Sequence, residues 1–554
     1  MKLNGYFKLL IATLSTLNAC AESYTCPAKE AVSVSPTDGI YQSKPYVDGS
    51  KKFIGGSVRK YDGPSDDVFS PIQDKSTGRN VIIGKMAKMS IEDSIEAVES
   101  AKKAWNKGQG IWPQMSLAER IEAVLKVVDA LKIKRDEIVN TLKWEICKNE
   151  MDAAAEFDRT IKFIENTISS LQELEISSKT WRTVSGIMAR IKRAAIGIML
   201  CLGPFNYPFN ETYATLIPAL LMGNIIIMKI PNIGGLAHIL TMEAYAAALP
   251  PGVINFVSGS GRTTIPPMMR TGDIDVLAFI GGSKAADLII KEHPHPHRLK
   301  LFLQLEGKNL GIVTESADLT VSASEVMIGS TSYNGQRCTA IKLVFVHESV
   351  AQEFIDKLIG QIAALKVGLP WEDGVNITPL PEPNKTAWME GLIVDAVEKG
   401  ASVVNAHVGG GEIFGTLMRP AIIYPVTKDM RLWHEEQFGP VIPIAVYKDI
   451  SEIYNYIHAT QYGQQAAVFA KNPAVVSGLI DVLSTAVGRV NLNTQCGRSP
   501  DSFPFSGRRS SALGTMSITE SLLTFSIETV IAAKENAVNL QILRDAESSS
   551  LFLA

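Results

Sequence analysis

From about Arg182 onward one texture recurs along the chain. Short aliphatic segments, "AAIGIMLCLGP", "NIIIMKIP", "VINFVSG" and "VLAFIGG", are each punctuated by a glycine or proline, with helical segments between them. That rhythm is the signature of parallel βαβ units. "IKLVFVHES", "IIYPVT", "VIPIAVYK", "QAAVFAKN" and "GRVNLN" repeat it in the second half. The chain is therefore predicted to be α/β, with two open sheets and a cleft between them at strand C-terminal ends. Residues 30 to 85, rich in Gly, Ser, Pro and Asp, read as loops and short strands, and residues 90 to 174 as amphipathic helices. Ser90, followed by acidic residues in the first turn, is the start signal for the first of those helices.

Composition removes several classes. At 554 residues and 46% hydrophobic content, two or three domains with ample cores are expected. A net charge of -3 gives no electrostatic reason for a nucleic-acid partner. No apolar run reaches the roughly 18 residues needed to span a bilayer. The six cysteines (Cys20, Cys26, Cys147, Cys201, Cys338 and Cys496) form neither a disulfide framework nor a CxxC zinc pattern. His293, His295 and His297 alternate with prolines in "KEHPHPHR" without a Cys or Asp partner, so they read as an exposed loop, and no metal site is expected. The N-terminus differs from the rest. Lys2 and Lys8, the apolar stretch Leu9 to Leu17 and the small Ala19-Cys20-Ala21 follow the order of a secretory signal.

Several short motifs have chemical potential. In "YNGQRCTA", Cys338 follows a turn and precedes a strand-like run, with Arg337 beside it; a neighbouring cation raises the thiolate fraction that makes cysteine a nucleophile. In "GPFNYPFNETY", Asn206 sits on a Pro-bounded turn and can aim its amide at a developing oxyanion. Lys229 closes a strand in "MKIPNIGG", placed for a ribose hydroxyl or phosphate. "VSGSGR", with Gly259, and "FIGGS", with Gly281 and Ser283, put glycines after strands, where backbone can approach a dinucleotide. "EEQFGPVIP" offers Glu436 and Phe438 ahead of a Gly-Pro turn, the carboxylate suited to a ribose diol. Each has an ordinary structural reading when taken alone: a buried thiol, a turn Asn, a solvated lysine, plain turns.

As an ordered set these motifs resemble the aldehyde dehydrogenase superfamily. FNYP, MKxP, GGS, LxLxGKN, GQRC, EExFGPV and FPFSG follow one another between about Lys44 and Lys534. The resemblance implies an NAD(P)-binding domain over residues 40–177 and 194–303, a catalytic domain over 304–512, and an oligomerisation arm with a C-terminal segment over 178–193 and 513–540. It implies a homo-oligomer, dimer or tetramer. Cys338 would attack the aldehyde, Asn206 and the Cys338 amide would hold the oxyanion, and a nicotinamide would take the hydride before water releases the acyl group. Lys229 would lie at the adenosine ribose, Gly281 and Ser283 at the pyrophosphate, and Glu436 and Phe438 at the nicotinamide ribose. Arg159, Tyr207, Arg337 and Arg498 also resemble the phosphate grip of the non-phosphorylating glyceraldehyde-3-phosphate dehydrogenases, which points to a small phosphorylated aldehyde. Guanidinium forks suit phosphate oxygens. Asn232 stands where many NAD-preferring relatives carry a glutamate that repels a 2′-phosphate, so NADP is the expected cofactor, with NAD admissible.

One motif departs from the pattern. Relatives read LELGGKN where this chain reads "LFLQLEGKN", and the slot thirty-four residues before Cys338, where the general base is expected, holds Gln304. An amide cannot take that proton. Glu306 is the nearest candidate base, on the same face if the segment is a strand but displaced by about 6.6 Å. The alternatives are a base from elsewhere, slow hydrolysis, acyl transfer to an acceptor such as coenzyme A, or a pseudoenzyme retaining only nucleotide binding. An intact Cys338, Asn206 and Glu436 count against the last. Cytoplasmic residence is the default, because an oxidising compartment threatens the Cys338 thiolate; residues 1–30 would instead direct the chain to the secretory pathway or an organelle if they act as a leader.

Overall fold

A computed structural model describes residues 32–553, and the expected leader, with Cys20 and Cys26, lies outside the described residues. The aliphatic segments form two parallel sheets, as their two-sided apolarity requires. The first is built around β1 (Ile198–Leu202), β2 (Ile225–Lys229), β3 (Ile254–Val257), β4 (Val276–Ile280) and β5 (Lys300–Gln304), paired in the order β5-β4-β1-β2-β3, with short strands added at both edges. All five are parallel, and β1 and β2 are buried at every position. The order in which strands are added switches sides between β1 and β4, so the loops after these strands open the crevice where such sheets bind ligands.

The second sheet uses β6 (Asn309–Val313), β7 (Ile341–His347), β8 (Val441–Tyr447), β9 (Gln465–Phe469) and β10 (Arg489–Leu492), in the order β8-β7-β6-β9-β10. Here the expectation of strand C-terminal ends is corrected. The chain passes directly from the C-terminal end of β5 to the N-terminal end of β6. The second sheet therefore presents its N-terminal ends to the cleft, and Cys338 and Glu436 precede β7 and β8.

Two helices position the site from the first half. α1 (Glu150–Ser177) starts at Asn149, whose side chain accepts from the Asp152 N–H, an N-cap that satisfies one of the otherwise orphaned amides. α2 (Pro208–Leu221) follows β1, opens with Pro208 at its first turn and is buried over nearly its whole length. The two pack through Phe157 and Phe209, stacked 5.5 Å apart. Glu156 of α1 accepts from the Phe209 and Asn210 amides at 2.9 and 3.2 Å, capping α2 with a carboxylate where the helix dipole favours one. Apart from the two sheets, strands 182–184, 187–194 and 527–534 form a three-stranded antiparallel sheet. Among the described residues no helix is long and apolar enough to cross a membrane.

Candidate active site

A cavity of about 1260 Å³ lies between the two sheets, and most of the expected residues converge on it. Asn206, Tyr207, Gly281, Ser283, Glu306, Arg159, Arg337, Cys338, Glu436, Phe438 and Arg498 all line its wall. Lys229, Asn232 and Gly259 do not. Asn232 and Gly259 line a separate depression with Ser260, and Lys229 lies buried at the end of β2.

The turn before Cys338 is set by backbone geometry. After α3 (Ser283–Lys291) and α4 (Leu319–Thr331), Tyr333, Asn334 and Gly335 all take positive φ, at 47°, 57° and 71°. A Cβ at Gly335 would meet the carbonyls of Ser330 and Gly439 at 2.6 and 2.7 Å, so only glycine completes this turn. The Cys338 carbonyl is then fixed by Asn309 Nδ2 at 2.6 Å and Lys342 Nζ at 3.0 Å. Asn206 is 6% exposed and donates Nδ2 to the Gln336 carbonyl at 2.8 Å, which holds its amide against the segment that carries the thiol.

Arg337 does not serve Cys338 in the way its adjacency suggests. Its guanidinium turns away, donating to the Gly329 carbonyl at 3.1 Å and to Gln495 Oε1 at 3.2 Å. The cation that lowers the thiol pKa is Lys342. Burial and the Glu211 carboxylate outweigh it, and the Cys338 thiol is pushed up to about 11. At neutral pH the resting side chain is thus a thiol, which must lose its proton to act as a nucleophile.

The cavity wall also carries four guanidiniums, from Arg159, Arg337, Arg489 and Arg498. Arg159 grips Asp501 through two bonds, 2.9 and 2.6 Å, and Arg498 pairs with Glu211. Yet Arg337 Nε and Arg498 Nη2 are buried without a hydrogen-bond acceptor among the described residues, while Arg498 Nε stands 3.4 Å from Asp501 Oδ1. Buried charged donors left in that state are costly unless an anion completes them. Tyr207 has Lys148 Nζ over its ring at 3.3 Å, and Lys148 is itself buried against Glu156. Asp501, Glu211, Lys148 and Lys342 all escaped the sequence reading. Asp501 was the most accessible to it, three residues after Arg498 in the same motif.

The strand that ends in "LFLQ" stops at Gln304. The expectation that residues 304 and 306 share one strand face is therefore corrected. Gln304 is buried with Oε1 unpartnered, whereas Glu306 turns to the N-terminus of α3. Glu306 Oε1 accepts from the Ser283 N–H at 2.9 Å and from Ser283 Oγ at 3.2 Å. A carboxylate at a helix N-terminus satisfies an orphan amide and the dipole together. Glu436 accepts from Lys342 Nζ at 2.9 Å and from the Gly307 N–H at 3.0 Å, and the Phe438 ring lies near the Lys342 and Lys385 ammonium groups. Lys229 bonds Asn232 Oδ1 at 3.0 Å, and burial draws its pKa down to about 8. Among the described residues no group of three or more His, Cys, Asp or Glu side chains is arranged to hold a metal ion.

Comparison with known proteins agrees with this arrangement. The sequence matches the aldehyde dehydrogenase family over residues 65–530. The chain belongs to the aldehyde dehydrogenase family. Within it, the chain is 32% identical to the NADP-dependent glyceraldehyde-3-phosphate dehydrogenase of Streptococcus equinus over 90% of its own length and 99% of that protein. It is 30% identical to the enzyme of the same name from Arabidopsis thaliana, covering 85% of this chain and 94% of the relative. The crystal structure of NADP-dependent glyceraldehyde-3-phosphate dehydrogenase from Bacillus halodurans C-125, complexed with NADP, superposes with a TM-score of 0.80 at 32% identity, covering 87% of this chain and 99% of the other.

Proposed function

We propose that this aldehyde dehydrogenase oxidises glyceraldehyde 3-phosphate to 3-phosphoglycerate with NADP. The observation that carries the substrate assignment is the set of buried, acceptor-less guanidinium nitrogens of Arg337 and Arg498 in the same cavity as Cys338. They suit a phosphate dianion, and Arg159 and Tyr207 stand beside them. Cys338 Sγ attacks the aldehyde carbon, and the resulting alkoxide is met by the Asn206 amide and the Cys338 N–H. The relatives named above support both substrate and cofactor.

The residues present fit NADP. The N-terminus of α3 already binds an anion, in the form of Glu306, and Lys229 hydrogen-bonds Asn232 alone among the described residues. We assign the adenosine ribose and 2′-phosphate to Lys229, Asn232 and Gly259, the pyrophosphate to Gly281 and Ser283, and the nicotinamide ribose to Glu436 and Phe438. Bound there, NADP supplies the hydride acceptor. Two binding predictions follow from these contacts. Glu306 and the pyrophosphate compete for the Ser283 amide, so Glu306→Gln should tighten NADP binding about two- to fivefold, read by fluorescence titration; an unchanged affinity would show that the two do not compete. Lys229 is charged below its pKa of about 8 and neutral above it. NADP affinity should therefore fall as the pH rises from about 7 to about 9, and Lys229→Met should flatten that dependence.

Strands 182–194 and 527–534 expose Val184, Ile191 and Val530 on one face, which supports a homo-oligomer. A reactive thiol favours a reducing, cytoplasmic setting. The function is tested by incubating the protein with glyceraldehyde 3-phosphate and NADP without inorganic phosphate or coenzyme A. Sustained NADPH formation, matched one to one by 3-phosphoglycerate, is expected. A second reading, acyl transfer, rests on Gln304 in the base slot; it requires turnover only when coenzyme A is added.

A further inference from the structure

Gln304 cannot accept a proton, and Glu306 is held at the N-terminus of α3 by Ser283 through Oε1, its Oε2 being buried without a partner among the described residues, so the other carboxylates of the cavity are candidates for the base. Four further carboxylates line the cavity. Glu435 is gripped by Arg431 through two bonds, Glu436 is held by Lys342 and Gly307, and Glu382 pairs with Lys385. Glu211 is different. It rides on the first turn of α2, five residues after Asn206, with its side chain 14% exposed. Arg498 holds its Oε1, and its Oε2, like that of Glu306 and of Glu436, has no donor among the described residues; what sets Glu211 apart is its place on the helix that directly follows Asn206, whose amide contacts the segment carrying Cys338. The helix beneath it is fixed by Glu156, which caps the Phe209 and Asn210 amides, so the carboxylate is carried on a rigid element.

We propose that Glu211 is the general base that activates water for hydrolysis of the thioacyl-enzyme on Cys338. The proposal rests on the aldehyde-oxidising function assigned above. A water oxygen forms a bond to the thioacyl carbon while its proton passes to Glu211. The carbon–sulfur bond then breaks, its electron pair returning to Cys338 Sγ, and the carboxylic acid leaves. No oxidant is consumed in this half of the cycle. The Asn206 amide and the base approach the acyl group from one helix terminus, the former at the oxyanion and the latter at the water. After burial, Glu211 exerts the largest influence on the Cys338 thiol, ahead of Glu436, which supports the shared location.

The test is a stopped-flow measurement of NADPH with glyceraldehyde 3-phosphate and NADP, combined with intact-protein mass spectrometry. In Glu211→Gln the first-turnover burst should persist at about one NADPH per active site. Steady-state turnover should fall about 100-fold or more, and a mass increase equal to the acyl group should accumulate on Cys338. Adding Gln304→Glu to that variant should restore turnover and remove the adduct. Glu211→Ala is the second variant if the first fails to express. Were Glu211 only a support for Arg498, the variant would raise KM for the phosphorylated aldehyde, keep kcat and build up no adduct, overturning the proposal. A variant lacking the burst would overturn it as well, because a deacylation base leaves hydride transfer intact. If the unaltered protein forms no NADPH from glyceraldehyde 3-phosphate, the assigned function fails, and the proposal with it.

Discussion

Replacing Cys338 with alanine should lower NADPH formation from glyceraldehyde 3-phosphate by about 10⁴-fold or more, while NADP binding is retained. Loss of a covalent nucleophile removes the whole acyl-enzyme route, and effects of that size follow such changes in enzymes that act through one. The prediction discriminates among the cysteines of the cavity. Cys496 also lines it, but its side chain is buried whereas that of Cys338 is partly exposed, so it does not offer a substitute nucleophile. Cys147 and Cys201 are fully buried elsewhere in the core. Steady-state assays beside a fluorescence titration of NADP check the result. A variant within about tenfold of the native rate would mean that the sulfur is not the attacking atom.

The second large effect is expected at Asn206. Asn206→Ala should reduce kcat by about 100- to 1,000-fold, the range found when one oxyanion donor is removed. KM for the aldehyde should move much less, because the amide acts on charge that develops only as the carbon becomes tetrahedral. Its bond to the Gln336 carbonyl explains why a turn asparagine can do this work. That contact fixes one amide hydrogen against the backbone two residues before the nucleophile and leaves the other for the oxyanion. A drop confined to KM would indicate that Asn206 merely shapes the turn.

The sheets were legible because their strands are aliphatic at nearly every position, a pattern that local sequence expresses directly. Convergence of the motifs was legible in a different way: glycines, an Asn-Tyr-Pro turn and a Gly-Gln-Arg-Cys turn are each local solutions to tight backbone geometry. What escaped was set by contacts between distant segments. Glu306 looked like a strand residue two places past Gln304, yet the strand ends first, and its carboxylate is claimed by an amide at Ser283. Arg337 looked like the cation that activates its neighbour, but its guanidinium turns to carbonyls of the preceding helix and Lys342 takes that place. Lys342 meets Glu436 only because β7 and β8 are adjacent and parallel. Glu211 had a signal, an acidic residue in the first turn of the helix that carries Asn206. Acids are common there for dipole reasons alone, so the position by itself did not separate a base from a cap.

The same long-range pairing decides what the arginines mean. In sequence Arg159, Arg337 and Arg498 are isolated cations; in the fold, Arg159 and Arg498 are partly neutralised by Asp501 and Glu211, and the nitrogens left without an acceptor among the described residues belong to Arg337 and Arg498. This makes the substrate phosphate the point on which the account stands. The most direct measurement is kcat/KM with NADP for glyceraldehyde 3-phosphate against unphosphorylated glyceraldehyde. Charge-assisted bonds to a buried guanidinium pair predict a preference for the phosphorylated aldehyde of about 100-fold or more. Equal efficiency, or a preference for glyceraldehyde, would contradict it.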